Sequence, residues 1–578
     1  MAEATLTQKS GLVTYTIKVE GAENQKLEVL AVSVSSEINK IPVCRITIKD
    51  GDAALQDFIQ SGEGKLVPGK KIEVLGGYNS EDKQLFKGVI IKHSIKARQN
   101  RTSTLTIECK DEAVKLTSGR FSRYFYESSD SDIIDEILGE YGLSTDVEKT
   151  DVTHAEMVQY LSSDWDFINT RAEVNGKVVI VKDGKVIIRK PDDGKPSKLL
   201  LEYGNNILEF EAEIDARNQW KAVSSSAWDP ATQAMVKSEG KDSKPRELGS
   251  VKPADLSKAA NNDSLDFIHA GQVSDEELGA LADSKLLKSR LSKVKGWVKF
   301  QGVQEVEVGQ FVELAGLGDS FIGDGFISGV QHEFGNGNWF TTIQLGCDQE
   351  WFYEGKDVNP PAALGLLPSV SGLHIGVVTQ LEADPDSEER IMVKVPGIDP
   401  DEDGIWARIA TLDAGNNRGS IFRPEIDDEV IVGYLDDDPR NPIVLGMLHS
   451  SKNVSPIPAA DDNHEKGFVS RGDMRILFND EVNSLEISTP NGNKLLFSEE
   501  EGSITAEDEN GNKLEMTADG ITIDSSKDLI LKAAGDVTIE GVNIDSNASA
   551  EFKAEGGAGA ELSSGATAVL KGSLVQIN

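Results

Sequence analysis

Apolar and polar residues alternate along much of this chain, and short runs of Gly, Asn and Asp interrupt the alternation. Over residues 1–120 the segments "LVTYTIKVEG", "LEVLAVSVSSEI", "CRITIKDG", "KIEVLGGY", "LFKGVIIKHSIKA" and "STLTIECKD" keep period two, which predicts strands with one face toward a core. The spacing then changes. "SDSDIIDEILGEYGL" opens on Ser and Asp at capping positions and stops at Gly142, and "HAEMVQYLSSDWDFINTRAEVNG" keeps helical spacing to Gly176; each predicts a helix. Strands return in "GKVVIVKDGKVIIRKP", where Asp183-Gly184 supplies a hairpin turn, and in "NILEFEAEIDARNQWKAVSSSAW". Residues 228–273 are polar and broken, so a long surface loop is expected there. A further helix is predicted from Ser274, where Glu277 completes a capping box. Strands such as "GQFVELAGLG" and "NWFTTIQLG" run to about Phe352, and the Pro/Gly-rich "DVNPPAALGLLPSVSG" reads as a linker.

Residues 372–450 carry five strand candidates, "GLHIGVVTQLEA", "RIMVKVPG", "IWARIATLDA", "DEVIVGYL" and "PIVLGMLH". That number in that length fits a small Greek-key barrel of the OB type. The remainder is different in kind. "NGNKL" occurs at Asn491 and again at Asn510, each followed by alternating pairs: Leu495/Phe497 and Ile504/Ala506, then Leu514/Met516 and Ile521/Ile523. Further on, units such as "GDVTIEG", "VNIDSN" and "SLVQIN" place Val537/Ile539, Val542/Ile544 and Val575/Ile577 in one apolar phase, which slips where Gly541 or Gly572 turns a corner. The apolar residues are small or β-branched, and units this short bury their apolar side only by stacking. A single-chain β-solenoid and three chains wound into a slender prism both satisfy that pattern.

Composition narrows the functional classes. The net charge of −38 repels phosphate backbones, so nucleic acid is not an expected partner. The excess is marked at the C-terminal end, where residues 461–578 hold 23 acidic against 9 basic side chains. Cys44, Cys109 and Cys347 are far apart in sequence and read as reduced thiols in strands, as in a chain made in the cytoplasm. The N-terminal segment lacks an apolar core of signal-peptide length, so export by a conventional signal is not expected.

Candidate chemistry is sparse. "DPDEDG" (Asp399–Gly404) opens like a calcium loop, but Ala410 stands at the twelfth position, where a bidentate Glu is needed. It reads as an acidic surface loop. No histidine follows His464, no H-E-x-x-H, G-x-S-x-G or P-loop occurs, and no cofactor, metal or catalytic residue is assigned. Trp406, Phe422 and Tyr434 lie in an acidic surround and are expected in the barrel core rather than on a nucleic-acid platform.

Three blocks carry a family resemblance. The helical segment from Ser129 to Gly176, "GWVKFQGVQEVEVGQFVELAGLGDSFIGDGFISGVQHEF", and "IWARIATLDAGNNRGSIFRPEIDDEVIVGYLDDDPRNPIVLGML" together resemble VgrG-type spike proteins of bacterial contractile injection systems, which are similar to phage hub–spike proteins. The last block is the most specific, through Trp406, Arg408, Glu425, Gly433, Asp438, Pro439 and Gly446. Arg408 and Glu425 are expected to pair, Pro439 and Pro442 to stiffen a turn, and Gly433 and Gly446 to allow close backbone approach.

The resemblance implies a mainly β, multidomain protein: a β-barrel hub with some α (1–120 hub barrel, 121–200 mixed α/β insert, 201–365 second hub barrel), an OB-fold barrel (372–450) and a C-terminal trimeric β-helix (467–578). It implies a homotrimer that caps an inner tube, pierces a target membrane, and carries effectors and a PAAR-type tip protein. The tip would be seated on Ser573, Leu574, Val575, Gln576, Ile577 and Asn578. Delivery out of the cell by the particle would replace a signal peptide. The alternatives are a spike with a lysozyme-like hydrolase activity and a trimeric host-binding tail-fibre adhesin. The barrel ends near His449 and the repeats begin near Phe468, which leaves no room between them for a catalytic domain.

Overall fold

The computed structural model describes residues 4–5, 11–24, 27–99, 101–192, 194–197, 199–355 and 358–577. Most of the first ten residues, Asp357 at the start of the linker and Asn578 lie outside that set. The chain divides into two compact units, residues 1–369 and 370–578. No helix among the described residues is long and apolar enough to cross a membrane.

Backbone pairing organises the first unit. A fourteen-stranded sheet runs through it, and strands from residues 13–110 and from 199–345 belong to the same ladder. The seam is the antiparallel pairing of Val29–Glu37 with Gly323–Gly335, in which His332 lies opposite Val34 and Phe334 opposite Val32. Two apolar cores flank it. One gathers Ile46, Ile48, Ile72, Ile90, Leu105 and Ile107 with Phe334 and Trp339 from across the seam. The other is built on Val298, Phe300, Val312, Leu314 and Ile343. The buried Tyr78 hydroxyl donates to the Gly302 carbonyl at 3.0 Å and fastens the two sides a second time. Gly302 must be Gly, because a Cβ there would stand 2.1 Å from the Trp339 ring.

The mixed α/β segment repeats one device. Two helices, Asp130–Glu140 and Asp164–Val174, both begin after a serine whose side chain accepts from the third residue on: Ser129 from Asp132 N, Ser163 from Asp166 N. In each case the aspartate after the cap is buried and held by an arginine from the other half of the segment. Arg171 donates to Asp130 through Nε at 2.6 Å and Nη2 at 2.9 Å, and Arg123 Nη2 lies 2.9 Å from both oxygens of Asp164. Burial opposes ionisation of Asp130, and the Arg171 guanidinium outweighs it, leaving the carboxyl below the usual carboxylate range. The "SDSD" and "SDWD" stretches are therefore caps and crossed ion pairs in one.

Several sequence expectations change here. Only the second half of the predicted helix over 154–176 is helical; Thr153–Ser162 is a strand paired with Phe121–Ser129. The alternation of Met157 and Gln159 inward with Val158 and Tyr160 outward has period two, and Ser163 starts the helix afresh. The expected surface loop over 228–273 holds a strand, Ala234–Glu239, a helix, Pro253–Ala260, and a second strand, Ser264–His269. Those strands flank Ala222–Asp229 in a three-stranded sheet, and the helix Asp275–Leu291 carries Ala282 and Leu286 into a small shared core. Ser274 caps that last helix as expected, but the Glu277 side chain turns away to Arg171 and His154 instead of closing the box. All three cysteines are free and buried, with Cys44 and Cys109 directly opposite on neighbouring strands; Cys347 lies just past a strand rather than in one.

The second unit opens with a closed five-stranded barrel: His374–Gln380, Ile391–Lys394, Ile405–Ile409, Pro442–Met447 and Glu429–Tyr434. Its core is almost wholly β-branched, with Val378, Ile391, Val393, Val395, Val430, Val432 and Val444 around Ala407. A seven-stranded antiparallel meander follows, every strand five residues long, from Glu465–Val469 to Gly520–Asp524. The repeated "NGNKL" is its return turn. Thr489 N bonds Asn493 O with Gly492 at positive φ, and Asp508 N bonds Asn512 O with Gly511 at positive φ. Among the described residues 525–577 no strand forms, so the unit-to-unit pairing of a single-chain solenoid does not occur there.

His332 gives the seam a pH dependence. Burial pushes its imidazole down to about 4, and Nδ1 lies 2.9 Å from Thr341 Oγ1. The unfolded chain takes up this proton near pH 6.5 and the folded one only near 4, so the first unit loses stability as pH falls through that window, by about 3 kcal/mol in all. Urea unfolding across pH 7 to 4 should show this, and His332→Gln should flatten the slope by about one proton. Parallel slopes for the two proteins would rule it out.

Candidate functional site

The residues singled out in the barrel lie on its closure. Trp406 and Arg408 sit on Ile405–Ile409, with Trp406 opposite Met392 and Arg408 opposite Ile443. Ile443 in turn faces Gly433, and Gly446 faces Ile431, so one row of the motif spans the strands that close the barrel. Asp438 stands in the loop between the last two strands. Its buried carboxylate accepts from the Arg440 guanidinium at 3.0 and 2.6 Å and from the Arg440 backbone amide, and these bonds lower its pKa to about 2. Pro439 follows it directly, and Pro442 opens the closing strand opposite Tyr434. The arrangement fixes a turn.

Three expectations about this motif are corrected. Glu425 pairs with Arg471 at 2.7 Å instead of with Arg408, whose side chain is exposed on the outer face of its strand. Phe422 is not core: it is 57% exposed and stacks on Phe468 with centroids 5.3 Å apart. Trp406 and Tyr434 are half-buried, and Tyr434 packs against the core. Gly446 meets nothing within 4 Å of a built Cβ, while a Cβ on Gly433 would make only ordinary contact with Leu445 and Leu373. Close approaches occur instead at Gly376, where a Cβ would come within 2.5 Å of Val393 and 2.9 Å of Val432, and at Gly404, where one would stand 2.1 Å from the Val393 carbonyl oxygen. The place of Gly376 in the alternating strand "HIGVVTQ", on the inward phase, was the available signal.

The acidic loop at Asp399 is an Asx turn, its carboxylate accepting from Asp401 N and Glu402 N. A neighbouring loop is tied more firmly. Asp384 accepts from three backbone amides and from Arg390, whose guanidinium holds the carboxyl well below its ordinary value. In the first unit a cavity of about 740 Å³ is lined by Glu173, Lys288, Cys347 and Trp351 among others. Lys288 is already paired with Glu173, and burial pushes the Cys347 thiol up to about 12, which leaves it a poor nucleophile.

The extensive unsatisfied surface is in the second unit. In the meander each strand turns two side chains to one face, and pairing aligns them in two rows. One runs Phe468, Ile476, Ile487, Leu495, Ala506, Leu514, Ile523; the other runs Phe478, Leu485, Phe497, Ile504, Met516, Ile521. Most of these are 38–69% exposed. The opposite face is largely polar, with Lys494 paired to Glu486 and Lys513 to Glu515. Beyond it Val537, Ile539, Val542 and Ile544 are exposed, and so are Ser573, Leu574, Val575, Gln576 and Ile577; Asn578 is outside the described residues.

The barrel and its loops, residues 374–449, match the family described as "Type VI secretion system/phage-baseplate injector OB domain", which defines the class of the barrel. Residues 9–336 match the family described as "Alg8 N-terminal domain", and the chain belongs to that family. Among curated relatives, the type VI secretion system spike protein VgrG1c of Pseudomonas aeruginosa is 37% identical over 78 residues, 13% of this chain and 11% of that protein. VgrG3 of Vibrio cholerae is 28% identical over 134 residues, 21% of this chain and 13% of that protein. The matches thus span little more than a tenth of these relatives' length. Among solved structures, the E. coli c3393 protein, a type VI secretion system component, aligns at 13% identity and a TM-score of 0.36 over 75% of this chain and 99% of its own. A chain of the Francisella PdpA–VgrG complex aligns at 10% and 0.40 over 90% and 89%. The resemblance to VgrG-type spikes read from the Trp406–Gly446 block is borne out.

The two kinds of glycine separate experimentally. Gly376→Ala should cost the barrel about 1–3 kcal/mol by overpacking, whereas Gly446→Ala should be close to neutral. Thermal unfolding of the two variants side by side tests this, and equal midpoints would refute the assignment of the close contact.

Proposed function

We propose that this chain is the structural spike of a contractile injection machine and acts as a homotrimer. The observation that carries the reading is the C-terminal region from Glu465 onward. It exposes two continuous apolar rows on a meander and then a run, residues 525–577, whose backbone finds no strand partner in its own chain. Side chains and backbone both call for further copies, and three intertwined chains supply them without leaving an open sheet edge. The injector OB family match supports a place in such a machine. In this reading the first unit caps the inner tube, the barrel forms a collar, and the C-terminal region is the needle driven through a target membrane when an outer sheath contracts. Effectors ride on the assembly. The protein leaves the cell with the particle. Its work is mechanical rather than catalytic: the barrel's last strand ends at Met447 and the meander begins at Glu465, joined by a short tether.

Native mass measurement should return three times the 62.5 kDa chain. A monomer whose residues 525–577 are nevertheless protected from hydrogen exchange would defeat the reading.

The tip contact remains part of the proposal. Leu574 and Ile577 are 81% and 86% exposed, and such side chains suit a PAAR-type protein seated on Ser573–Asn578. Removing residues 573–578, or Leu574→Asp alone, should leave the trimer intact and abolish co-purification of the tip protein. Undiminished co-purification would place the seat elsewhere.

A further inference from the structure

We infer, resting on the trimeric reading above, that the apolar face of the meander is where three copies first meet and take register, and that residues 525–577 pair only afterwards. The occupant of the face is a second copy of this chain.

Two adjacent segments pose different physical problems. The meander's seven strands form six antiparallel ladders within one chain, so its backbone is paired everywhere but along the two edge strands before any partner arrives. What it lacks is cover for one face, from Phe468 through Ile487 to Ile523 and from Phe478 through Phe497 to Ile521. Side-chain burial is non-directional and tolerates approach from many orientations. The following run lacks the opposite thing. Its backbone enters no strand ladder within the chain, and strand pairing admits only the correct register, since a slip of one residue turns every apolar side chain outward. Three free strands in solution meet that demand slowly. Three strands already tethered at a common level meet it as an intramolecular event at high effective concentration.

The junction between the segments is built for this. Asp508 accepts from the Asn512 side-chain amide at 2.7 Å, and Asn512 Oδ1 in turn accepts from Ser526 N at 3.0 Å and from the Ser525 hydroxyl at 3.1 Å. The asparagine of the second "NGNKL" thus fixes the direction in which the chain leaves the last strand, Gly520–Asp524. Three copies held face to face would release their next residues at one height, with the register set.

The test uses the full chain, with light scattering for mass and hydrogen exchange read separately over residues 465–524 and 525–577. Wild type should be trimeric, with amides of 525–577 slowed by about 100-fold or more. Phe497→Asp with Ile504→Asp should give monomer and abolish protection over 525–577, although that sequence is untouched. Val537→Asp with Ile539→Asp should remain trimeric and lose protection only locally. Glu486→Lys, on the polar face, is the matched control and should keep both trimer and protection. Exchange in the first unit and in the barrel shows that each variant is otherwise folded. A trimer that survives Phe497→Asp/Ile504→Asp with 525–577 still protected overturns the order proposed here, as does a monomer from Val537→Asp/Ile539→Asp. A monomeric wild type would instead overturn the trimeric reading itself.

Discussion

Backbone hydrogen bonding is the constraint on which the rest of this structure depends. A chain this rich in strands must give each N–H and C=O a partner, and it does so in a different way in each region. In the first unit the strands of residues 13–110 and 199–345 enter one ladder, so the seam at Val34–His332 is as much a structural centre as either core. In the barrel, closure removes the edges altogether. In the meander five-residue strands return on themselves through tight turns. Among the described residues after Asp524, strand pairing within the chain ceases.

Charge serves this scaffold more than it serves any site. Four of the firmly held aspartates close a local loop or start a helix: Asp130 and Asp164 at helix starts, Asp384 and Asp438 in barrel loops. Asp130, Asp384 and Asp438 each meet an arginine through its Nε and Nη2, the fork a planar guanidinium presents, and Asp164 meets Arg123 through Nη2 alone. The same residue types that would make paired acids in an enzyme are here spent on fixing turns.

Where the sequence was legible, period and punctuation agreed. The five barrel strands, the Asp183-Gly184 hairpin and the cap at Ser274 all appear where alternation and turn residues placed them. The failures have physical causes. The strand Thr153–Ser162 reads as helix because Val158 and Tyr160, on its outward face, are themselves apolar and blur the period. The lobe over 234–269 reads as loop because its strands are short and only one face of the sheet is packed, by the helix Asp275–Leu291. The Glu425–Arg471 pair joins a barrel loop to the meander across 46 positions, a distance at which local pattern carries no information. Gly376 was readable in principle: a glycine on the inward phase of a strand marks a place where the wall behind it has already taken the space.

The uniform strands of the meander also make it a ruler. All seven are five residues long, and the two "NGNKL" turns lie two strands apart. Neighbouring strands are spaced about 4.8 Å apart, so each strand pair advances the sheet by about 10 Å while leaving the width of its apolar face unchanged. Length in this region is consequently quantised. Duplicating or deleting one turn-to-turn unit changes reach by a fixed step and preserves cross-section, so relatives could lengthen or shorten this part of the molecule without redesigning anything on either side of it.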